Sequence, residues 1–303
     1  MKLNELRTIL RDDDLSFDLF FTRKLRKGNY VSFSPNIDAQ IFDDLVNLII
    51  EYLEKFEEKE LVDYNPTGYK DETIETCEVS YVNDYGKVIE SFKNSDKVET
   101  EIDPDNYNFY TLMIEKNDDK NFPKIKIFRR VTKFKKLHSK GIIAKFNGNT
   151  LNKIESKLIG IDGEVDFIVI NEKIYILSHY SLERIFNLDE QFRDKASEFL
   201  NQEGLIDGII NFESFSEDCL NDARYRKALT KMANENIDIA KTYENHENII
   251  KTIDMFNLEI NYSEEPSFSI IYEEKNQIMD ILRILRDSYY KSLINEQIGV
   301  DDK

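Results

Sequence analysis

Residues 165–178, VDFIVI-NE-KIYILS, constrain the fold of this chain more than any other stretch. Two short runs of β-branched and aromatic residues flank Asn171-Glu172, a polar break suited to a tight hairpin. A helix follows at once. Asn187 introduces it with Glu190 three residues later, a capping-box arrangement. Apolar residues at 188, 192, 196, 199 and 200 keep helical spacing, and Gly204 is a natural C′ residue. A strand hairpin feeding a helix needs a sheet to join.

The rest of the chain supplies one. Runs 16–23, 61–64, 75–82 and 109–115 read as strands, and apolar positions 41, 42, 45, 48, 49, 52, 53 and 56 trace an amphipathic helix capped by Asp38. The segments 124–131, 141–148 and 151–160 extend a central meander of strands. Helices are expected over 216–234, 243–256 and 275–297, with a hairpin at 259–272 around Glu265-Pro266. The fold class is α+β, with an N-terminal mixed α/β region, a central mostly antiparallel sheet and a helical C-terminal region. Charge sign reverses at KNDDKNFP (116–123), which places the domain boundary there. Residues 1–118 form the first domain. Residues 119–303 form the second, a central sheet over 119–206 plus helices over 207–303.

Hydrophobic content of 41 %, 12 % aromatic residues and few Gly and Pro describe an ordered globular chain. Apolar runs such as LVNLII (45–50) are far shorter than the roughly 20 residues that cross a bilayer. The amino terminus turns acidic within a dozen residues and shows no apolar signal segment, so a cytoplasmic location is expected. Cys77 and Cys219 lie far apart and fit small buried side chains in a reducing compartment. The histidines His138, His179 and His246 lack metal-ligand spacing. Phosphate-cradling glycine motifs, the Gly-x-Ser-x-Gly elbow and His-Glu-x-x-His are all missing. No catalytic residue, metal or cofactor is called for. A metal-dependent nuclease is a third alternative, resting on Glu164, Asp166, Glu172 and Lys173. Glu172 and Lys173 are adjacent, so a strand would turn them to opposite faces, away from one metal.

The feature left over is charge. The formal net charge is −18, yet residues 120–153 hold eleven Lys and Arg and no Asp or Glu. On a strand, alternate residues share a face. Ile125, Ile127 and Val131 suit the core, and Lys124, Lys126, Phe128 and Arg130 would form an outward row of cations around one aromatic. Lys133, Lys135, Lys136, His138 and Lys140 continue the charge. Such a row fits a polyanion, with Phe128 as a stacking platform and Arg129 as a further phosphate contact. Local potential governs phosphate contact, because screening limits distant acids to about 8 Å at physiological salt. Arg224, Arg226, Lys227 and Lys231 form a second, smaller cluster on one expected helix.

The pattern GIIAKFNGNTLNKIE…GEVDFIVINEKIYILSHYSLERIFNLDEQFRDKASEFL (141–200) resembles the KwaB proteins of the Kiwa anti-phage defence system. The likeness covers 120–210. It implies a cytoplasmic, non-enzymatic protein that binds DNA without strong sequence preference and works beside a small membrane-embedded partner, KwaA. It also implies self-association, as a homodimer. A reading from another class stands beside it: an interaction protein whose basic segment docks an acidic partner. In that case the helix 275–297 would pack Ile278, Ile281, Leu282, Leu285, Tyr289 and Leu293 on another subunit.

Overall fold

Apolar strands that are buried on both faces need helices on both sides, and the sheet of this protein has them. A computed structural model describes residues 3–12, 14–68, 71–95, 106–116, 119, 121–131, 144–148, 150–153 and 159–301. The chain divides into two compact units, residues 1–64 with 69–188, and residues 65–68 with 189–303.

The first unit contains helix α1 (Leu3–Ile9), strands β1 (Leu15–Lys24) and β2 (Tyr30–Phe33), and helix α2 (Ala39–Leu53). Strands β3 (Glu60–Asp63) and β4 (Thr73–Glu78), helix α3 (Tyr85–Lys93), and strands β5 (Phe109–Lys116) and β6 (Ile125–Arg130) follow. Then come β7 (Ala144–Asn147), β8 (Thr150–Lys153), β9 (Phe167–Ile170), β10 (Lys173–Ile176) and helix α4 (His179–Phe186). Eight of the strands form one sheet in the order β2-β1-β5-β6-β9-β10-β4-β3. Every neighbouring pair is antiparallel except β3 with β4. Strands β5 and β6 pair from Phe109 with Arg130 to Ile114 with Ile125, so the boundary expected at 118/119 falls between two adjacent strands of this sheet.

The meander expected through 124–178 is interrupted. Strand β6 pairs directly with β9, and β7 with β8 forms a separate two-stranded hairpin. Helix α2 starts where Asp38 accepts the backbone N–H of Gln40, as its sequence promised. Its buried residues Leu45, Val46, Ile49, Ile50 and Leu53 join Leu6, Ile125, Ile127 and Ile168 on one face of the sheet. On the other face Phe92 of α3 stacks on Phe20 at 4.6 Å, Phe128 stacks on Phe167 at 4.5 Å, and Phe186 of α4 closes on Phe167 at 5.4 Å.

The second unit is mainly helical: α5 (Leu188–Leu200), α6 (Glu203–Gly208), α7 (Phe212–Asn221), α8 (Ala223–Asn234), α9 (Ile239–Glu244), α10 (His246–Phe256) and α11 (Ile278–Leu285). Short strands β11 (Ile209–Ile210), β12 (Asn261–Ser263) and β13 (Ser269–Ile271) form one small sheet, and β14 (Tyr289–Lys291) pairs with β15 (Ile298–Val300). The hairpin around the cis Glu265-Pro266 bond is present.

Several expected helices are shorter or divided. Asp222 breaks the helix expected over 216–234 into α7 and α8 by accepting the backbone N–H of Arg224 as a fresh N-cap. Asp238 caps α9 in the same way through Lys241, and Asn245 separates α9 from α10. Gly204 is not a C′ residue; it lies inside α6, where an added Cβ would meet Ile239 at 3.2 Å. The helix expected over 275–297 ends at Leu285, and Ile278, Ile281, Leu282 and Leu285 belong to this unit's own core. Among the described residues no helix is long and apolar enough to cross a membrane.

Candidate nucleic-acid interface

Strand β6 carries the described part of the basic segment, and its central place in the sheet decides which cations reach the surface. Covered on both faces, it buries Ile125, Lys126, Ile127 and Phe128 in succession. The outward row expected from strict alternation is therefore corrected. Alternation marks a sheet with one wet face, and this strand has none. Phe128 is 0 % exposed and touches Phe92, Phe109, Phe167 and Phe186, so it is a core residue and no stacking platform. Lys126 is nearly buried; burial, together with repulsion from Lys124, lowers its pKa. Lys124 is exposed at the far end of the strand.

Arg129 is on the surface only in part, and three acids surround it. Its guanidinium donates to Asp162 at 2.9 Å and Asp166 at 3.2 Å, and it also pairs with Glu164. Burial works against its charge, but the bond to Asp162 and the charges of Asp166, Asp162 and Glu164 hold it protonated more firmly than usual. A cation enclosed by three carboxylates presents no positive surface. The acids that satisfy it lie outside the cation run, at 162–166, and only the fold brings them across.

Arg130 points the other way along the pleat and meets helix α4. Its backbone N–H donates to the buried Asp166 carboxylate at 2.6 Å, and the Asp166 carbonyl accepts from Leu177 and Ser178. One residue thus ties the end of β6 to the start of α4. Ser178 caps that helix through Ser181, and Asn187 ends it in the left-handed conformation with φ +54°. Leu182, Ile185 and Phe186 anchor α4 in the core, which leaves Tyr180 and Arg184 on its outer side.

There the structure assembles what the strand does not. The Arg130 Cζ lies 5.0 Å from the Tyr180 ring centroid and the Arg184 Cζ lies 5.1 Å from it. Tyr180 is 54 % exposed. Among the described residues no carboxylate pairs with Arg130, Arg184 or Lys124. Tyr180 and Arg184 were missed in the sequence, although Ser178, the apolar spacing 182, 185 and 186, and Asn187 together signal a short helix that turns 180 and 184 outward.

Beside this cluster, on the side of α4 toward β4, His179 is bracketed by two acids. Its Nδ1 is 2.8 Å from Glu75 and its Nε2 is 2.8 Å from Glu183, with the Tyr64 ring 4.9 Å from the imidazole. Burial opposes its charge, but hydrogen bonds to Glu183 and Glu75 outweigh it and push the pKa up to about 9. With both ring nitrogens engaged, His179 is a fastener and not a proton shuttle.

The remaining expected contacts fare differently. Lys133, Lys135, Lys136 and Lys140, with His138, lie outside the described residues. In the second unit Arg224 pairs with its own cap, Asp222, at 2.9 Å. Arg226 is buried against Asp189 and donates to the Leu220 carbonyl at 2.8 Å. Lys227 lies over Phe192 at 5.7 Å, and Lys231 lines a hollow with Met232, Met279 and Leu282. These four do not make one cationic surface. Burial raises both thiols, Cys77 to about 12. Among the described residues no group of three or more His, Cys, Asp and Glu is placed to hold a metal ion.

Neither the comparison with curated proteins nor that with solved structures gives a match. A family model described as Kiwa protein KwaB-like matches residues 104–295, the larger part of the chain, including β5, β6, α4 and most of the second unit. The chain belongs to the KwaB-like family of Kiwa proteins.

Proposed function

We propose that this chain, within the anti-phage defence to which its family belongs, binds DNA through its phosphate backbone without strong sequence preference. The observation that carries this reading is the Arg130–Tyr180–Arg184 cluster: two cations without carboxylate partners among the described residues, set around an exposed ring. Guanidinium pairing with phosphate is indifferent to base identity and steeply sensitive to salt. Lys124 and the lysines at 133, 135, 136 and 140, which follow Arg130 along the chain, belong to the same proposal. Phe128, Lys126, Arg129 and Arg226 do not, because burial or acids occupy them. The reading includes a small membrane-embedded partner of the KwaA type and a homodimeric, cytoplasmic state, both implied by the family resemblance. Titrating the purified chain with DNA at 50 and 200 mM salt tests it, together with a variant carrying Glu at 133, 135 and 136. Binding that weakens at higher salt and is lost in the folded variant supports the reading; unaltered binding by that variant removes the lysines from it.

A second reading, an interaction protein that leaves DNA alone, draws on a different observation. Between β14 and β15, Leu293 is 99 % exposed and Ile294 is 92 % exposed. Adjacent aliphatic side chains at a turn are a natural contact for another protein. Absence of DNA retention at 50 mM salt favours this reading.

A further inference from the structure

We propose that the Arg130–Tyr180–Arg184 cluster receives unstacked nucleotides, so that the chain prefers single-stranded DNA to duplex. The inference rests on the DNA reading above and narrows it. A stacking contact needs an exposed ring whose position is fixed. Tyr180 is such a ring: more than half of it is open, while α4 is held by its Ser178 cap and by buried Leu182, Ile185 and Phe186. Its two guanidinium neighbours lie at stacking distance from the centroid, 5.0 and 5.1 Å. A guanidinium over a ring keeps its N–H edges free, and those edges match a phosphate fork. Its plane, like the ring, accepts a base. One local cluster therefore offers a base face and phosphate donors within a few ångströms of each other.

A duplex uses only part of this. Its bases are stacked and paired, so the ring finds no partner and only the guanidinium edges contribute. Broad duplex contact also needs cations spread along the backbone, and the exposed Lys124, just before β6, lies six residues from Arg130 at the opposite end of the strand, roughly 20 Å off. Arg129, next to Arg130 but on the opposite face of the sheet, is enclosed by acids and adds no phosphate contact. A single strand can place a free base on the cluster and its adjacent phosphates on the two forks, and base–aromatic stacking favours such a complex by roughly tenfold or more per base.

The test is fluorescence anisotropy at 50 mM salt with a labelled 12-nucleotide single strand and the duplex of the same sequence. The single strand is expected to bind at least tenfold tighter. Tyr180→Ala should erase that margin while barely changing duplex binding, and Tyr180→Phe should keep it. Arg130→Gln with Arg184→Gln should weaken both forms. Tyr180 is exposed, so the melting temperature of each variant should match the parent chain. Equal or tighter duplex binding, or a Tyr180→Ala variant that weakens both forms alike, overturns the inference and leaves DNA binding intact. If neither form binds the parent chain, the DNA reading fails and this inference fails with it.

Discussion

The carboxylate of Asp166 accepts the backbone N–H of Arg130 at 2.6 Å, while its Oδ1 takes the Arg129 guanidinium at 3.2 Å. Asp166 is buried, so removing it strands two donors at once. Asp166→Ala is expected to lower stability by about 3 kcal/mol, read as a shift in the urea midpoint. The effect comes from structure: a stable Asp166→Ala protein would contradict the role of this residue as the strut between β6 and α4.

Phe128 and Tyr180 should behave as opposites. Phe128→Ala empties a site packed by four other rings and is expected to cost about 3–5 kcal/mol. Tyr180→Ala removes an exposed ring and should stay within about 0.5 kcal/mol. Denaturant titration of the two variants measures both, and a small loss for Phe128→Ala would refute the central placement of β6.

His179 gives the fold a pH dependence of definite sign. Its folded pKa is raised to about 9 from the ordinary 6.5, with Glu75 and Glu183 as the charged partners and Tyr64 against its ring. The stabilisation is complete below 6.5 and is lost as pH rises through 9. With allowance for its partial contact with solvent, the contribution is about 2 kcal/mol. Stability of the parent chain should fall between pH 6.5 and 9, and His179→Gln should flatten that slope. An unchanged slope in the variant would exclude the bracketed imidazolium.

Much of the architecture was legible in local sequence. The 171–172 break, the Asp38 cap and the strand runs at 16–23 and 109–115 all rest on chemistry within a few residues, and all are found where expected. What was not legible depends on distant partners. No pattern inside 124–131 tells that helices cover both sides of it, so alternation alone predicts an exposed Phe128 where the fold buries the ring. No charge count shows that 162–166 folds onto Arg129. The helix expected over 216–234 is divided for a local reason: Asp222, inside that range, acts as an N-cap and starts a new helix. Tyr180 was hidden because its helix has only eight residues.

The turn between β14 and β15 predicts an absence of effect. Leu293 and Ile294 touch almost nothing in their own unit, so Leu293→Ser with Ile294→Ser should change stability by less than about 0.5 kcal/mol. A drop well beyond that in thermal melting would place these side chains in the core.

The most direct test of the central claim is the slope of log affinity for a single-stranded oligonucleotide against log salt, in the parent chain and in Arg130→Glu with Arg184→Glu. Each phosphate contact adds about 0.7 to the slope, so the double variant should bind far more weakly and its slope should be shallower by about 1.4. The same affinity and the same slope in a folded double variant would contradict the account.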